Sequence, residues 1–550
     1  MKILIVGGVA GGATAAARMR RLDEQAEIVI IERGKHISFA NCGLPYHIGG
    51  VIPLRESLLL NTPESFEQNQ NVTVRTRTEA IKINRTDKQL VLKDLDTNRE
   101  YVEDYDKLLL SPGAMPFKPL IDGINDDGVF TLRNVEDMDR ILSWIQEKKV
   151  RSATVIGGGF IGLEMVENMK HRGLEVNLVE LADQVLLNID KDMANNLHQE
   201  LIQNDVHLFL KDAVKAFKST GNIVEVTLNS GIRFETGVVI FSAGVRPEIK
   251  LAKEAGLELG VKGIRVNAFL ETSDPDIYAV GDAVEINHCI LKKPVNIPLA
   301  GPANRQGRIV AGNILGQGRE RYEGAIGTSI TKVFNKTVAC TGLNSDQLSK
   351  AGFDFLESFT VSKSHAGYYP GATPMVIKLL FLKTGEIVGT QICGEKGVDK
   401  RIDVFATAIK SGLKVQDLEW LELSYAPPFG SAKDPVNIAG YVAHNIIKGD
   451  MEIIGWKEML NAPQDVTILD VRNPKELEDC GSIKPERMIN IPLPILRNNL
   501  DKLDKEKTIY IYCQIGARGY FAYRILKQNG FKCKNLSGGF MVYNMAVKKF

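Results

Sequence analysis

Two cysteines of this chain sit in settings suited to sulfur chemistry. Cys42 lies in Ser38-Phe39-Ala40-Asn41-Cys42-Gly43-Leu44-Pro45-Tyr46, and the next cysteine along the chain is Cys289. A thiolate is the form that attacks sulfur, and a dithiol reductase needs a nearby second cysteine to resolve its own disulfide. Lacking that neighbour, Cys42 must exchange with a sulfur brought by the substrate, or cycle through an oxidised form of itself. Cys513 opens the run Cys513-Gln514-Ile515-Gly516-Ala517-Arg518-Gly519, directly after the apolar segment Thr508-Ile509-Tyr510-Ile511-Tyr512. A cysteine between a strand end and a helix start is ringed by backbone N–H groups. Those donors stabilise a thiolate or an anionic persulfide, and Arg518 adds positive charge. Cys480 and Cys533 lack such a setting and are expected to be packing or surface residues.

The elements that must hold Cys42 begin at the N-terminus. Lys2-Ile3-Leu4-Ile5-Val6 predicts a buried strand, and Gly7-Gly8-Val9-Ala10-Gly11-Gly12 leads into a helix rich in alanine and arginine. A second strand, Glu27-Ile28-Val29-Ile30-Ile31, ends at Glu32. This is the dinucleotide-binding strand–helix–strand pattern: a tight turn, a helix N-terminus facing pyrophosphate, and an acid for ribose hydroxyls. Val9 replaces the middle glycine of that pattern. The unit recurs more cleanly at Gly157-Gly158-Gly159-Phe160-Ile161-Gly162, whose second strand ends at Glu180. An acid there favours the free 2′-hydroxyl of NADH and repels the 2′-phosphate of NADPH, so NADH is the expected reductant and NADPH the second choice.

Composition bounds the rest. A chain of 550 residues is too long for one core and implies several domains. Its net charge of +1 gives no bulk electrostatic case for nucleic acid or an anionic membrane. The seven cysteines show no framework spacing, which fits a reducing, cytoplasmic setting. Glycines interrupt the apolar N-terminus and Arg18, Arg20 and Arg21 follow it, so it predicts strand, loop and helix rather than an export signal. No apolar run is long enough to span a bilayer, and no metal-ligand cluster stands out.

Further segments carry a resemblance. Thr272-Ser273-Asp274-Pro275-Asp276-Ile277-Tyr278-Ala279-Val280-Gly281-Asp282 resembles the second flavin-binding signature of the two-dinucleotide-fold flavoprotein reductases, and Leu109-Leu110-Ser111-Pro112-Gly113-Ala114 resembles their crossover segment. The resemblance covers residues 1–445 and implies an α/β architecture with two Rossmann-like dinucleotide-binding domains and an α+β dimerisation domain. The expected bounds are 1–113 and 242–324 for a two-part FAD domain, 114–241 for the NAD(P)H domain and 325–445 for dimerisation. It implies FAD contacts at Gly7, Gly8, Val9, Ala10, Gly11, Gly12, Glu32, Arg33, Ser111, Gly113, Asp282 and Ala300. Nicotinamide-nucleotide contacts are implied at Gly157, Gly159, Phe160, Ile161, Gly162, Glu180 and Gly244.

Within that superfamily, the segment around Cys42 resembles the single-cysteine coenzyme A disulfide reductases, whose nucleophile forms a mixed disulfide with coenzyme A at the flavin. That likeness implies coenzyme A contacts at Thr14, Arg18, Arg21, Ser38, Phe39, Asn41, Asn304 and Lys433. It also implies a homodimer in which Tyr368 and Tyr425 reach the other subunit's cysteine as acids or hydrogen-bond donors.

After about residue 450 the pattern restarts. Strand-like segments at Val466–Arg472, Met488–Leu493 and Thr508–Tyr512, with Asn535-Leu536-Ser537-Gly538-Gly539-Phe540 near the end, resemble a single-domain α/β rhodanese over 455–550. The phosphate-holding loop of cysteine phosphatases is one residue longer than the run from Cys513 to Arg518, which favours sulfur. The segment 445–455, beginning Asn445-Ile446-Ile447-Lys448-Gly449-Asp450, is expected to be a short linker. Together these features predict an FAD-dependent, NADH-driven reductase of coenzyme A disulfide, persulfide or polysulfide, fused to a sulfurtransferase. The alternatives are an NADH oxidase or peroxidase with a cysteine sulfenic acid, and a redox-sensing sulfur carrier.

Overall fold

The computed structural model describes residues 1–550, which divide into two compact units: Met1–Asp183 with Asp205–Gly327, and Gln184–Asn204 with Thr328–Phe550.

The first unit is organised by two five-stranded parallel sheets. In one, the order is Ile277–Ala279, Lys107–Leu110, Lys2–Val6, Glu27–Ile31 and Thr73–Arg75. Its central strands are near-continuous runs of Ile, Leu and Val because both faces are covered; Ile3, Leu4 and Ile5 are fully buried. Each such side chain contributes about 1.5–3 kcal/mol on burial. The helix Ala10–Leu22 crosses one face and packs on the helix Ala300–Leu315. Small residues permit that approach: a Cβ on Gly307 would press on the Gly11 carbonyl oxygen. The second sheet runs Val206–Leu210, Glu175–Glu180, Ser152–Ile156, Val238–Phe241 and Val129–Phe130. The strands Ala114–Pro116 and Val245–Pro247, which follow the two crossovers between these sheets, pair antiparallel.

The second unit holds two further sheets. An antiparallel one runs Ser329–Val333, Lys336–Gly342, Ile387–Gly394, Pro374–Leu382 and Phe355–Lys363. The helices Val398–Lys410 and Pro435–Ile447 share its core through Phe405, Val436 and Ala439. The other sheet is parallel, in the order Ile453–Ile454, Cys533–Leu536, Ile509–Tyr512, Thr467–Asp470 and Met488–Asn490. The helix Ala517–Gln528 leaves it directly after the Cys513 loop.

The segment expected to be a linker is packed instead. Asn445, Ile446 and Ile447 finish the helix Pro435–Ile447, and Met451 is buried in the core of the C-terminal sheet beside Ile446. The apolar spacing of that helix continues into its last turn, which gives this stretch a surface to bury. The helix Lys191–Gln203 also belongs to this unit. Asn195 donates to the carbonyls of Met545 and Ala546 at 3.1 and 3.2 Å.

Candidate active sites

The first glycine loop begins where Lys2–Val6 ends. Gly7 has φ +98°, and a Cβ there would collide with the Ser111 carbonyl oxygen, so only glycine serves the turn. A Cβ on Gly12 would strike the Gly7 carbonyl, which lets the helix start lie tight on the strand. Glu32 closes the loop, accepting from the Gly8 N–H at 2.9 Å and the Gly34 N–H at 2.8 Å. The second loop repeats this arrangement: Gly157 has φ +103°, and Glu180 accepts from Gly158 at 2.6 Å and Ala182 at 2.8 Å. Val9 and Gly159 are both N-cap residues with negative φ, −105° and −77°, so valine replaces the middle glycine without left-handed strain. Phe160 and Ile161 open the helix Phe160–His171. Arg33 turns outward to Glu79 at 3.4 Å.

The crossover strands bring Gly113 and Gly244 together. The Gly113 carbonyl accepts from Glu248 and the Gly244 carbonyl from Phe117, each at 2.9 Å. Asp282 follows the strand Ile277–Ala279 in a short helical turn. Burial pushes its carboxyl up to about 6, and no protein group hydrogen-bonds its side chain.

Cys42 lies in the turn Asn41–Gly43, just ahead of the helix Leu44–Ile48. Its side chain is exposed, yet desolvation by the surrounding protein raises the thiol's pKa first, and the charges of Glu164 and Asp282 add to it. Glu164 comes from the helix Phe160–His171 and accepts from the Tyr46 hydroxyl at 3.5 Å. Burial pushes Glu164 up to about 7 and Tyr46 up to about 12. The contact is set by backbone docking: His171 bonds the Gly49 carbonyl at 2.8 Å, and Arg172 donates to Ile48.

Of the coenzyme A candidates, Thr14 and Asn304 meet directly, the threonine hydroxyl donating to the amide oxygen at 2.6 Å. Asn304 also donates to the carbonyl of Ala300, the first residue of its helix, at 2.8 Å. Arg18 lines a cavity of about 340 Å³ together with Arg308 and Arg319. Arg21 is exposed on the same helix as Arg18. Ser38 accepts from Asn61 at 3.1 Å, Phe39 is buried and Asn41 is exposed. In the other unit, Lys433 is exposed just ahead of the helix Pro435–Ile447. Tyr368 and Tyr425 are exposed, and their hydroxyls meet at 2.9 Å.

In the C-terminal sheet, the Cys513 sulfur accepts from the N–H groups of Gly516 at 3.2 Å and Gly519 at 3.3 Å. Gly516 carries φ +91°, which turns the loop into its helix. Arg518 is not a lone charge. Its guanidinium donates to both oxygens of Glu476, at 2.7 and 2.6 Å. Arg472, fully buried, pairs with Asp470 at 2.8 Å and donates to the Gln514 side chain at 3.1 Å. Cys480 is exposed; Cys533 is buried, its thiol pushed up to about 12 by burial.

The description "Pyridine nucleotide-disulphide oxidoreductase" matches residues 1–307, and its dimerisation domain matches 328–434. The chain belongs to the pyridine nucleotide-disulphide oxidoreductase family. A rhodanese-like domain matches residues 456–546. A coenzyme A disulfide reductase of Staphylococcus haemolyticus is 37% identical over 447 residues, which is 81% of this chain and 100% of that protein. The crystal structure of reduced Bacillus anthracis CoADR-RHD is 51% identical with a TM-score of 0.96, over 99% of this chain and 98% of that one. An NAD-dependent persulfide reductase from A. fulgidus is 36% identical with a TM-score of 0.92, over 99% of this chain and 100% of that one. This family member is a flavin- and NAD(P)H-dependent oxidoreductase with a rhodanese domain.

The residues present fit both cofactors. In both loops a Cβ on the first or last glycine (Gly7, Gly12, Gly157, Gly162) would strike protein backbone, so glycine lets each helix N-terminus lie close against its strand, the arrangement that receives a pyrophosphate. The half-buried Asp282 carboxylate, with no hydrogen-bond partner in the protein, suits a hydroxyl-bearing flavin side chain. Four contributors to these sites went unnoticed in the sequence: Tyr46, Glu164, Arg308 and Glu476. Arg308 was within reach, since it stands one helical turn beyond Asn304 on Ala300–Leu315. The other three depend on contacts across long stretches of chain that no local spacing signals.

Proposed function

We propose that this family member reduces coenzyme A disulfide and coenzyme A persulfide or polysulfide with NADH, and that Cys513 is a sulfurtransferase site supplying sulfane sulfur. The bounds read from the sequence give its parts: FAD in 1–113 and 242–324, NAD(P)H in 114–241, dimerisation in 325–445 and sulfur transfer in 455–550. The observation that carries the reading is the isolation of Cys42. It is an exposed free thiol, and the other cysteine of its unit, Cys289, points its sulfur at the Glu323 carbonyl, 3.3 Å away.

The Cys42 thiolate attacks the sulfur–sulfur bond of coenzyme A disulfide. A Cys42–coenzyme A disulfide forms, and one coenzyme A thiolate leaves. Two electrons originating in NADH break that mixed disulfide, regenerating Cys42 and releasing the second thiol. With a coenzyme A persulfide, the outer sulfur passes to Cys42 and leaves as sulfide on reduction. The bound flavin supplies the two-electron link between nicotinamide and sulfur. The chain's own groups hold these reactants. Glu32 and Glu180 close the two nucleotide loops, while Arg18 and Arg308 offer charge-assisted bonds to phosphate. Tyr368 and Tyr425, already hydrogen-bonded as a pair, serve the partner subunit's cysteine in the homodimer. The free state of all seven cysteines fits a reducing cytoplasm.

The test follows NADH oxidation with coenzyme A disulfide and with a persulfide. Cys42→Ser is expected to lose both activities. Cys513→Ser is expected to keep disulfide reduction and to lose sulfide release driven by external sulfane donors. Oxygen consumption that persists at the full rate without either sulfur substrate contradicts the reading and favours an oxidase.

A further inference from the structure

The Cys513 loop is electrically balanced in a way the sulfur chemistry does not require. Arg518 lies in the loop and Arg472 reaches it through the Gln514 side chain, and each has its own carboxylate. Glu476 takes Arg518 through two bonds of 2.7 and 2.6 Å, and Asp470 takes Arg472 at 2.8 Å. Arg518 also faces the Cys513 sulfur, so a carboxylate held on its guanidinium offsets the charge it can offer an anion there, beside the loop's N–H groups.

Glu476 is held in place by a second task. It stands at the third position of the helix Pro474–Cys480 and accepts from the Asn473 N–H at 3.0 Å, half of a capping box. The carboxylate is thus fixed toward Arg518 rather than free to swing into solvent. Their mutual pull lowers the Glu476 pKa, with the Arg518 hydrogen bond as the largest cause, so the pair stays ionised through neutral pH. Cys513 itself is fully buried, whereas the Arg518 and Glu476 side chains are 33% and 30% exposed. The pair is the part of this site that a donor in solution meets.

We propose that Glu476 sets donor specificity at Cys513, discriminating against dianionic sulfur donors such as thiosulfate in favour of monoanionic persulfides. The inference rests on the sulfurtransferase reading of Cys513 and adds the chemical class of its donor. Both transfers balance. A persulfide RSS⁻ and the Cys513 thiolate give RS⁻ and a Cys513 persulfide, with a total charge of two negatives throughout. Thiosulfate and the thiolate give sulfite and the same persulfide, with three negatives to be gathered at one loop. A rim with an unpaired arginine would offset the extra charge, and a neutral rim does not. Glu476 touches neither reacting sulfur and acts through Arg518, so it is a positioning residue.

The test compares sulfur transfer from thiosulfate and from 2-hydroxyethyl persulfide, which carries a single negative charge, in the full-length holoenzyme, by kcat/KM for each donor. Glu476→Gln keeps a capping side chain at the same place and removes only the charge. It is expected to raise the thiosulfate-to-persulfide ratio by roughly tenfold, and that gain is expected to shrink as ionic strength rises. Glu476→Asp restores a negative charge and is expected to return the ratio toward that of the unaltered chain. A ratio unchanged in Glu476→Gln, or both donors weakened equally, overturns the role of Glu476. An unaltered chain inactive with both donors overturns the sulfurtransferase reading and this inference with it.

Discussion

The Tyr46 hydroxyl donates to the Glu164 carboxylate at 3.5 Å, joining the helix that follows Cys42 to the helix that follows the second nucleotide loop. The carboxylate belongs to the latter helix, and its negative charge works against ionisation of Cys42. One residue thereby links the nicotinamide half of the site to the readiness of the nucleophile.

Glu164→Gln removes that charge, so the Cys42 thiolate forms at lower pH. The acid limb of the pH dependence of kcat/KM for coenzyme A disulfide is expected to move downward. An unmoved or upward-shifted limb contradicts the coupling.

The same carboxyl affects stability with a definite sign. Its folded pKa of about 7 lies above its ordinary 4.5, so the folded state binds the proton more tightly. Its contribution is fully present below 4.5 and is lost as pH rises to about 7. Thermal unfolding across that window is expected to show a smaller decline in Glu164→Gln than in the unaltered chain. An equal decline assigns the effect elsewhere.

Arg18 and Arg308 share one cavity on adjoining helices. Replacing either by Ala is expected to raise KM for coenzyme A disulfide roughly tenfold, about 1.4 kcal/mol, with kcat little changed. Pantethine, which lacks the nucleotide phosphates, is the control and is expected to be indifferent. Equal losses with both substrates would place the arginines outside phosphate recognition.

Lys378 is buried among Asp190, Asp192 and Glu357, at 2.9, 3.0 and 3.1 Å. The Trp456 indole donates to Asp192 at 3.0 Å, so this cluster ties the antiparallel sheet to the start of the C-terminal domain. Lys378→Met leaves those carboxylates without their cation and is expected to cost about 3–5 kcal/mol, read by denaturant unfolding, with a changed Trp456 emission. A loss below about 1 kcal/mol contradicts the cluster's structural role.

Glu180 is fixed by two N–H groups at the end of its strand. NADH is expected to be preferred over NADPH, and Glu180→Gln is expected to narrow the kcat/KM gap by roughly tenfold, because only the charge that repels the 2′-phosphate is removed. A gap that stays the same locates the discrimination in other residues.

Local chemistry was legible in the sequence, and long-range pairing was not. The glycine loops, Glu32, Glu180 and the Cys513 loop each occupy a short stretch in which residue type and spacing carry the function. In the sequence Thr14 and Asn304 stand apart, each carried by family resemblance, and their direct bond, which spans 290 residues, follows from helix packing. In the sequence Arg518 stands as an added charge, because its neutralising partner Glu476 lies 42 residues away on another element. The segment 445–455 reads as a short linker in the sequence, yet its first residues finish the helix Pro435–Ile447 and its Met451 is a core residue.

The central claim is that Cys42 carries the coenzyme A sulfur during turnover. Peptide mass spectrometry of the holoenzyme after exposure to coenzyme A disulfide without NADH tests it most directly. The expected result is one coenzyme A moiety on the peptide bearing Cys42, removed by NADH and absent from Cys42→Ser. An unmodified Cys42 peptide, or an adduct confined to another cysteine while reduction proceeds at the full rate, would contradict the account.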